Sequence, residues 1–542
     1  MGPVAALTRR DLLAAIGAAW LVDVELPARR PIEGALLGAS HRVGHKLRDG
    51  AQAATATRVE RADVVIVGSG ASGASAAWRL AAAGVETRLL ELEPFAGGTS
   101  AWGEDGVVAH PWGAHYLPAP NPSALGTLRL LEEMGELTGW DAGGNPQFKE
   151  ESLCHAPDER LFHGGQWHPS LIPASALEPN DLRELARFRD VRNRYRTLVG
   201  RDGRPAFTIP LSLSSRDPEL LDLDRMTMAA WLDREGFHSQ FVRWYVEYAT
   251  LDDFGANLTD VSAWAGLHYF CARKLETDQL HGSHYLVWPE GNGRLVKHLL
   301  GRMHGHREHH QLVTRVESIR DGVRVSALDL RGSAPVPRTI EARAVILAIP
   351  GFIARRLVAP AVAARLTPRA SSPWVVANLH VTRPFDPNHA WDSVLYDSPS
   401  LGYTDAGHQR TRPSEQTVLT HFRAYGSPNV EATRADLIGR GWASLASDVL
   451  LDLAPAHPEL ADSTSRIDVM VWGHAMPRPR PGFLNAAGRE PLETDPVLDE
   501  RIAWAHVDQS GYALFEEANT HGIRAAEHIA HVLGVNAGTS WI

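Results

Sequence analysis

The stretch from Asp63 to Gly98 constrains this chain more than any other. Residues 63–67, D-V-V-I-V, are a β-branched apolar run of the kind that forms a buried parallel strand. Gly68, Ser69, Gly70, Ala71, Ser72 and Gly73 follow as G-x-G-x-x-G. In that motif the first glycine permits a tight turn and the second lets backbone amides approach a pyrophosphate. The third allows close helix–strand packing. Residues 74–83 predict a helix whose positive N-terminal end faces the anion, Gly84 stops it, and Thr87 to Leu90 return as a strand. Glu91 lies about twenty residues beyond the glycines, where a carboxylate can bind both ribose hydroxyls of an adenosine. Strand, glycines, helix, strand and acid in register define a dinucleotide site; a lone glycine motif would not.

Composition sets the outer bounds. A chain of 542 residues exceeds one ordinary domain, so two intertwined domains are expected. Hydrophobic content of 44% with 22% charge is that of a globular protein. The net charge of −10 argues against nucleic acid as a partner and suits a cationic substrate. Cys154 and Cys271 lie far apart in sequence, which argues against a redox-active dithiol and leaves one structural disulfide open in an exported protein.

The N-terminus reads as a targeting segment. Thr8-Arg9-Arg10-Asp11-Leu12-Leu13 precedes a short apolar run through Val22, and the pattern resembles a twin-arginine export signal. The alternative is an amphipathic helix that happens to begin with two arginines. The run is too short for an ordinary spanning helix. No clear small-residue cleavage site follows, so an uncleaved signal would remain as an anchor.

Gly97 and Gly98, a short interval after Glu91, resemble the extended fingerprint of FAD enzymes in the amine oxidase and phytoene desaturase superfamily. That family continues with an arginine and usually has another before the glycine pair; here Thr99 and Phe95 stand there. The resemblance implies FAD rather than NAD. It also implies an α/β fold class: a Rossmann-like FAD-binding domain with an interleaved α+β substrate domain. Residues 102–118 contain Gly113, Ala114, His115 and Tyr116, which match the family's small-residue turn beside the flavin ring, where His115 would hydrogen-bond flavin or substrate or serve a structural role. Val316 matches a backbone contact to the adenine. The terminal segment 505–526 matches in Asp508, Gly511 and Tyr512. Asp508 would lie near the ribityl chain or pyrophosphate, residues 511–512 would begin a helix aimed at the flavin, and Tyr512 would wall the ring. No cysteine lies in that segment, so the flavin is expected to be non-covalent. The cofactor set is thus Gly68, Gly70, Ala71, Ser72, Gly73, Glu91, Gly97, Gly98, Thr99, Gly113, Ala114, His115, Val316, Asp508, Gly511 and Tyr512.

Residues 31–50 are similar to the segment before the FAD domain in spermidine dehydrogenase-like proteins, a branch in which haem accompanies the flavin. His41 and His45 could supply an axial imidazole to iron, or be solvated residues of a linker.

The expected division is a signal in 1–30, a linker or N-terminal segment in 31–61, FAD-binding parts in 62–120, 285–365 and 491–542, and substrate-domain parts in 121–284 and 366–490. In the first substrate part, Trp244, Tyr245 and Tyr248 precede Asp252-Asp253, a mixture that can hold an alkylammonium group or form a packed helix face. Asp253, His115 and Tyr512 are the candidate catalytic residues, with Trp374, His380, Tyr403 and His408 as further pocket candidates. No metal site is expected. Hydride transfer from substrate carbon to flavin N5 is the implied chemistry. Three readings stay open: an exported amine or polyamine dehydrogenase, a C–C desaturase, saturase or isomerase on an apolar substrate, and an electron-transferring FAD subunit. The expected location is periplasmic, with a membrane or periplasmic electron acceptor.

Overall fold

An apolar strand run like 63–67 needs a sheet covered on both faces, and the chain builds one from separated stretches. The computed structural model describes residues 31–542 except 39, 52, 55, 57, 105, 275–284, 367–368, 383–389, 411, 413, 489–491 and 493–494. Along the chain, strand β1 (Leu36–Gly38) and helix α1 (His41–Arg48) come first. Strand β2 (Val59–Val67), helix α2 (Ala71–Ala82) and strand β3 (Thr87–Leu90) carry the glycine motif. Helix α3 (Gln240–Phe254), strand β4 (Val336–Leu347), the long strands β5 (Ser371–Thr382) and β6 (Thr464–Pro477) and helix α4 (Phe515–Val532) complete the framework.

Among the described residues, two eight-stranded sheets dominate. In the first, β3, β2 and β4 are parallel neighbours, with Gly305–Glu308 parallel beyond β3. On the side away from β2, the first half of β4 pairs with the hairpin Gln311–Ile319 and Gly322–Asp329, and residues 345–347 run beside Ile502–Trp504. Side chains alternate across the pleat. Val64, Ile66 and Ile346 therefore face one buried cluster with α2 and α4, while Val65, Val67, Val345 and Leu347 face another. Burial on both faces is why the sequence reads as an unbroken apolar run. Val67 pairs with Leu90 and with Leu347, and Leu347 with Trp504, so four strand ends reach one crest. Gly68, Glu91, Ala348 and Ala505 follow those ends. Crevices at the carboxyl ends of parallel strands are where such sheets hold ligands.

The second sheet is centred on β5, which pairs antiparallel with Gln416–Ala424 on one side and β6 on the other. Val375, Ala377, Leu379 and Val381 face a cluster under helix Trp442–Leu453, and Trp374 and Val376 face the opposite side with Trp112 and Phe422. Farther along, Asp392–Leu395 lies parallel to Glu159–His163, with Asp392 opposite Glu159.

Several expectations change. Residues 31–50 are no linker: β1 pairs parallel with β6 at the edge of the second sheet, and α1 packs on the first. Helix α2 begins at Ala71, so Ser72 and Gly73 belong to its first turn. Helix α4 begins at Phe515 rather than at 511–512, because Gly511 has φ of +81° and closes the short turn Val507–Gln509. Cys154 and Cys271 are both buried and form no disulfide. The twin-arginine segment lies outside the described residues. Among those described, no helix is long and apolar enough to cross a membrane.

Candidate functional site

Gly70 opens the cleft at the crest. A Cβ at Gly73 would stand 2.0 Å from the Gly68 carbonyl oxygen, and one at Gly68 would stand 2.5 Å from the Ala348 oxygen, so both glycines are spent on packing. A Cβ at Gly70 would meet no protein atom closer than 3.8 Å. Its space is left open at the N-terminus of α2, where backbone N–H groups favour an anion. The second glycine stretch closes against this turn: Gly70 bridges Gly97, whose N–H donates to the Ser69 oxygen at 3.1 Å. The donor set and open space fit a dinucleotide pyrophosphate.

Glu91 is buried beside the turn. Its Oε2 accepts from the Ser69 N–H at 2.8 Å and from the Ser69 hydroxyl at 2.5 Å, and its Oε1 accepts from the Glu93 N–H at 2.9 Å. These bonds fix the carboxylate at the end of β3, ready for ribose hydroxyls. On the far side of the crest, Asp508 Oδ2 accepts from the Gly351 N–H at 2.7 Å. Burial alone would raise the Asp508 carboxyl, but the His506 ring and the Gly351 N–H hold it below its ordinary value.

From the glycines the chain leads directly to a second cavity. The Ala114 N–H donates to the Thr99 oxygen at 2.9 Å, and a Cβ at Gly113 would stand 2.1 Å from the same oxygen, so residues 113–114 lie flat against the second glycine turn. Next in sequence, the His115 ring stacks on Phe422 at 4.1 Å. Its Nδ1 lies 3.3 Å from the Gly113 carbonyl oxygen, a contact that requires Nδ1 to be the donor and leaves Nε2 as an acceptor. Burial pushes the imidazole down to about 4, so the ring is neutral at physiological pH.

His115 and Tyr116 open one wall of a cavity of about 50 Å³, which four carboxylates, Asp158, Glu159, Asp252 and Asp392, line together with Tyr248, Tyr269, Tyr285 and Trp391. Among the described residues, neither lysine nor arginine lines it. The Tyr116 hydroxyl donates to Asp252 Oδ2 at 3.0 Å, and that of Tyr248 donates to Asp392 Oδ2 at 3.4 Å. Burial pushes Asp252 up to about 6 despite the Tyr116 bond. Burial also drives Asp392 well above the usual carboxylate range, and the neighbouring Glu159 and Asp252 add to the shift. Like charges crowded in a half-dry cavity call for a cation.

The expected site residues divide between these places. Gly68, Gly70, Ala71, Ser72, Gly73, Glu91, Gly97, Gly98 and Thr99 gather at the crest, Asp508 stands across it, and Gly113, Ala114 and His115 connect the crest to the cavity. Val316 is buried in the hairpin opposite Val325. Tyr512 lies outside the cavity lining. It is fully buried among Phe254, Trp264, His268 and Phe483, and its hydroxyl finds no partner. Asp253 is displaced by Asp252: successive helical side chains point about 100° apart, and only Asp252 shares the cavity face with Tyr248, one turn earlier. Trp374, His380, Tyr403 and His408 lie outside the cavity lining. Tyr403 bonds His457 at 2.7 Å, and His408 bonds the His155 carbonyl at 2.8 Å. His41 and His45 sit on successive turns of α1 with rings 5.7 Å apart, and no group of three or more metal-ligating side chains occurs among the described residues. Sequence reasoning missed Asp158, Glu159, Tyr269, Tyr285 and the role of Asp392; Glu159 and Asp392 are brought together by the register that pairs strand 159–163 with 392–395.

A two-sheet fold with a dinucleotide crest feeding an acidic, aromatic cavity defines a nucleotide-dependent oxidoreductase acting on a small molecule. The profile of flavin containing amine oxidoreductases matches residues 71–530, and the chain belongs to that family. It is therefore an FAD-dependent oxidoreductase. Cyclohexylamine oxidase from Brevibacterium oxydans IH-35A shares its fold with a TM-score of 0.61 at 18% identity, over 87% of this chain and 99% of that one. Putrescine oxidase, in its wild-type structure bound to putrescine, gives a TM-score of 0.58 at 15% identity, over 88% and 100% of the two chains. An oxidoreductase from Methanosarcina mazei gives 0.55 at 13%, over 86% and 100%. At these identities the likeness establishes the fold alone. No curated protein matches the chain by sequence.

Proposed function

We propose that the protein is an exported enzyme that oxidises the C–N bond of a small amine or polyamine. The observation that carries this reading is the cavity reached through His115 and Tyr116, lined by Asp158, Glu159, Asp252 and Asp392 and free of lysine and arginine. Two structural relatives are by name oxidases of cyclohexylamine and of putrescine, both amines. FAD, when bound at the crest, supplies the acceptor for the two electrons that leave the substrate carbon.

The residues of the chain have three tasks. The carboxylates draw in an ammonium ion, and the Tyr116, Tyr248, Tyr269 and Tyr285 rings add cation–π attraction. The reacting nitrogen must then lose its proton, because only a neutral amine has a lone pair to assist departure of hydride. Asp392, which burial makes a stronger base than an ordinary carboxylate, is suited in its ionised form to take that proton from the ammonium ion. Neutral His115 adds no competing positive charge at the entrance. An apolar substrate fits such a lining poorly, since hydrocarbon brings the four carboxylates neither a positive charge nor a hydrogen-bond donor. Export rests on Arg9 and Arg10 and the apolar run after them.

The test is anaerobic mixing of the yellow holoprotein with cyclic monoamines, linear diamines and polyenes. Rapid bleaching by an amine, slowed at limiting substrate in Asp252→Asn, supports the reading. Bleaching by a polyene and by no amine between pH 6 and pH 10 overturns it.

A further inference from the structure

Residues 31–50 precede the dinucleotide motif in sequence, yet they join both halves of the fold. β1 runs parallel to β6 with Leu36 opposite Val469 and Gly38 opposite Val471, and the Ala35 N–H donates to Asp468 Oδ1 at 2.9 Å. Two residues beyond β1, the chain passes to the other sheet. The Ser40 N–H and hydroxyl donate to the two carboxylate oxygens of Glu93, each at 2.7 Å. Glu93 is in turn tied to the ribose-binding acid, since its own N–H donates to Glu91 Oε1. Helix α1 then crosses the crest. Gly44 faces Leu92, and Leu47 is buried in the cluster that holds Val67 and Leu90, at the ends of β2 and β3, together with Val316. At its far end α1 comes within electrostatic reach of the opposite bank: Asp49 feels Arg356, and His474 feels both His45 and Asp508.

We propose that this segment is a strap over the FAD cleft, anchored on the substrate sheet by β1 and latched on the nucleotide side by Ser40 and Glu93. One bank of the cleft carries Glu91 and Glu93, the other carries Asp508, and α1 spans the distance between them. FAD leaves or enters when the Ser40–Glu93 latch opens and α1 lifts, so the latch sets the rate of cofactor exchange. Ser40 and Glu93 are positioning residues in this account: they hold the strap and need not touch the reacting atoms. The strap also explains why so polar a helix, H-R-V-G-H-K-L-R, is folded at all. Its single fully buried side chain, Leu47, is too little to hold eight residues without an anchor at each end.

The experiment follows release of FAD from holoprotein diluted into an excess of an FAD-specific apoflavoprotein as scavenger, read as the rise or transfer of flavin fluorescence. Ser40→Ala and Glu93→Gln should each release FAD about tenfold faster than wild type, as expected for removing a hydrogen bond to a buried charged group. The double variant should be little faster than either single one, because both changes open the same latch. Phe188→Ala, which empties a buried site between Phe237 and Phe270 in the helical part of the chain, serves as the control for general destabilisation. Release by Ser40→Ala and Glu93→Gln within twofold of wild type would overturn the proposal. So would a Phe188→Ala protein that sheds FAD as fast as they do, since exchange would then follow overall stability.

Discussion

Two glycines three residues apart should fail in opposite ways. At Gly70 the backbone has φ of −68° and ψ of −177°, an extended conformation open to any residue, and a Cβ there would meet nothing within 3.8 Å. Gly70→Val therefore leaves the protein's own packing intact. Its cost to the empty fold is about 1 kcal/mol, from replacing glycine with a poorer helix N-cap. The added methyl groups occupy the open space at the start of α2, so the pyrophosphate loses its seat. At Gly73 a Cβ would lie 2.0 Å from the Gly68 oxygen and 3.1 Å from the Ala348 Cβ, and neither is the free end of a flexible side chain. Gly73→Ala must push the glycine turn away from α2, an overpacking that costs about 3 kcal/mol whether or not cofactor is present.

Thermal unfolding of apoprotein and FAD-saturated protein separates the two. Wild type should gain about 2.7 kcal/mol from FAD at a hundredfold excess over its dissociation constant, a shift of about 2–3 °C for a chain of 542 residues. Gly70→Val should unfold within about 1 °C of wild-type apoprotein and show no shift with FAD. Gly73→Ala should unfold about 3 °C below wild type even without FAD. A Gly70→Val protein that retains the FAD shift, or that is as unstable when empty as Gly73→Ala, would refute the division of labour between the two glycines.

Three other outcomes follow from the site and its surroundings. Amine capture should weaken as pH falls through about 6, where Asp252 takes up a proton; Asp252→Asn should remove that limb and raise KM about tenfold or more while changing saturated reduction less, as stopped-flow bleaching would reveal. Glu60, held down at about 2 by hydrogen bonds from Arg338 and Arg88, contributes stability that is full above its unfolded value near 4.5 and is lost as pH falls from there toward 2. Arg338→Leu, which deletes bonds to Glu60, Glu308 and Gln311, should lower stability by about 3 kcal/mol and flatten that acid limb in a pH series of denaturant melts. Exchange of Arg9 and Arg10 for lysine should leave the protein folded and yellow in the cytoplasm, and unchanged delivery in a fractionation assay would remove the basis for the export proposal.

The cofactor half was legible because its constraints are local. Each glycine from 68 to 73 answers to atoms within a few residues or to the next strand, and the acid of the fingerprint falls at a fixed distance along one strand–helix–strand unit. Where sequence reasoning erred here, it erred at boundaries. Ala71 to Gly73 belong to the first turn of α2, and the left-handed Gly511 delays α4 to Phe515. Tyr512 stands between that glycine and the helix start, fully buried beside Trp264 and Phe254.

The cavity was less legible because it is assembled across long separations, but part of it was within reach. Tyr248 and Asp252 stand four apart on α3, and residues at that spacing share a helix face. The choice between two adjacent aspartates is therefore decided by helical geometry: whichever carboxylate lies one turn beyond an aromatic of the face joins it, and that is Asp252, not Asp253. No such rule reaches Asp392 and Glu159. They meet because strands more than two hundred residues apart in sequence run parallel with these two residues side by side. Nothing in either local sequence encodes that register. It follows from the sheet as a whole, in which β5 fixes the strand 416–424, that strand fixes 403–405, and each later neighbour takes its place in turn. The substrate-binding charges thus depend on the packing of an entire domain, whereas the cofactor-binding glycines depend on one turn. A family can therefore keep the second readable while it varies the first.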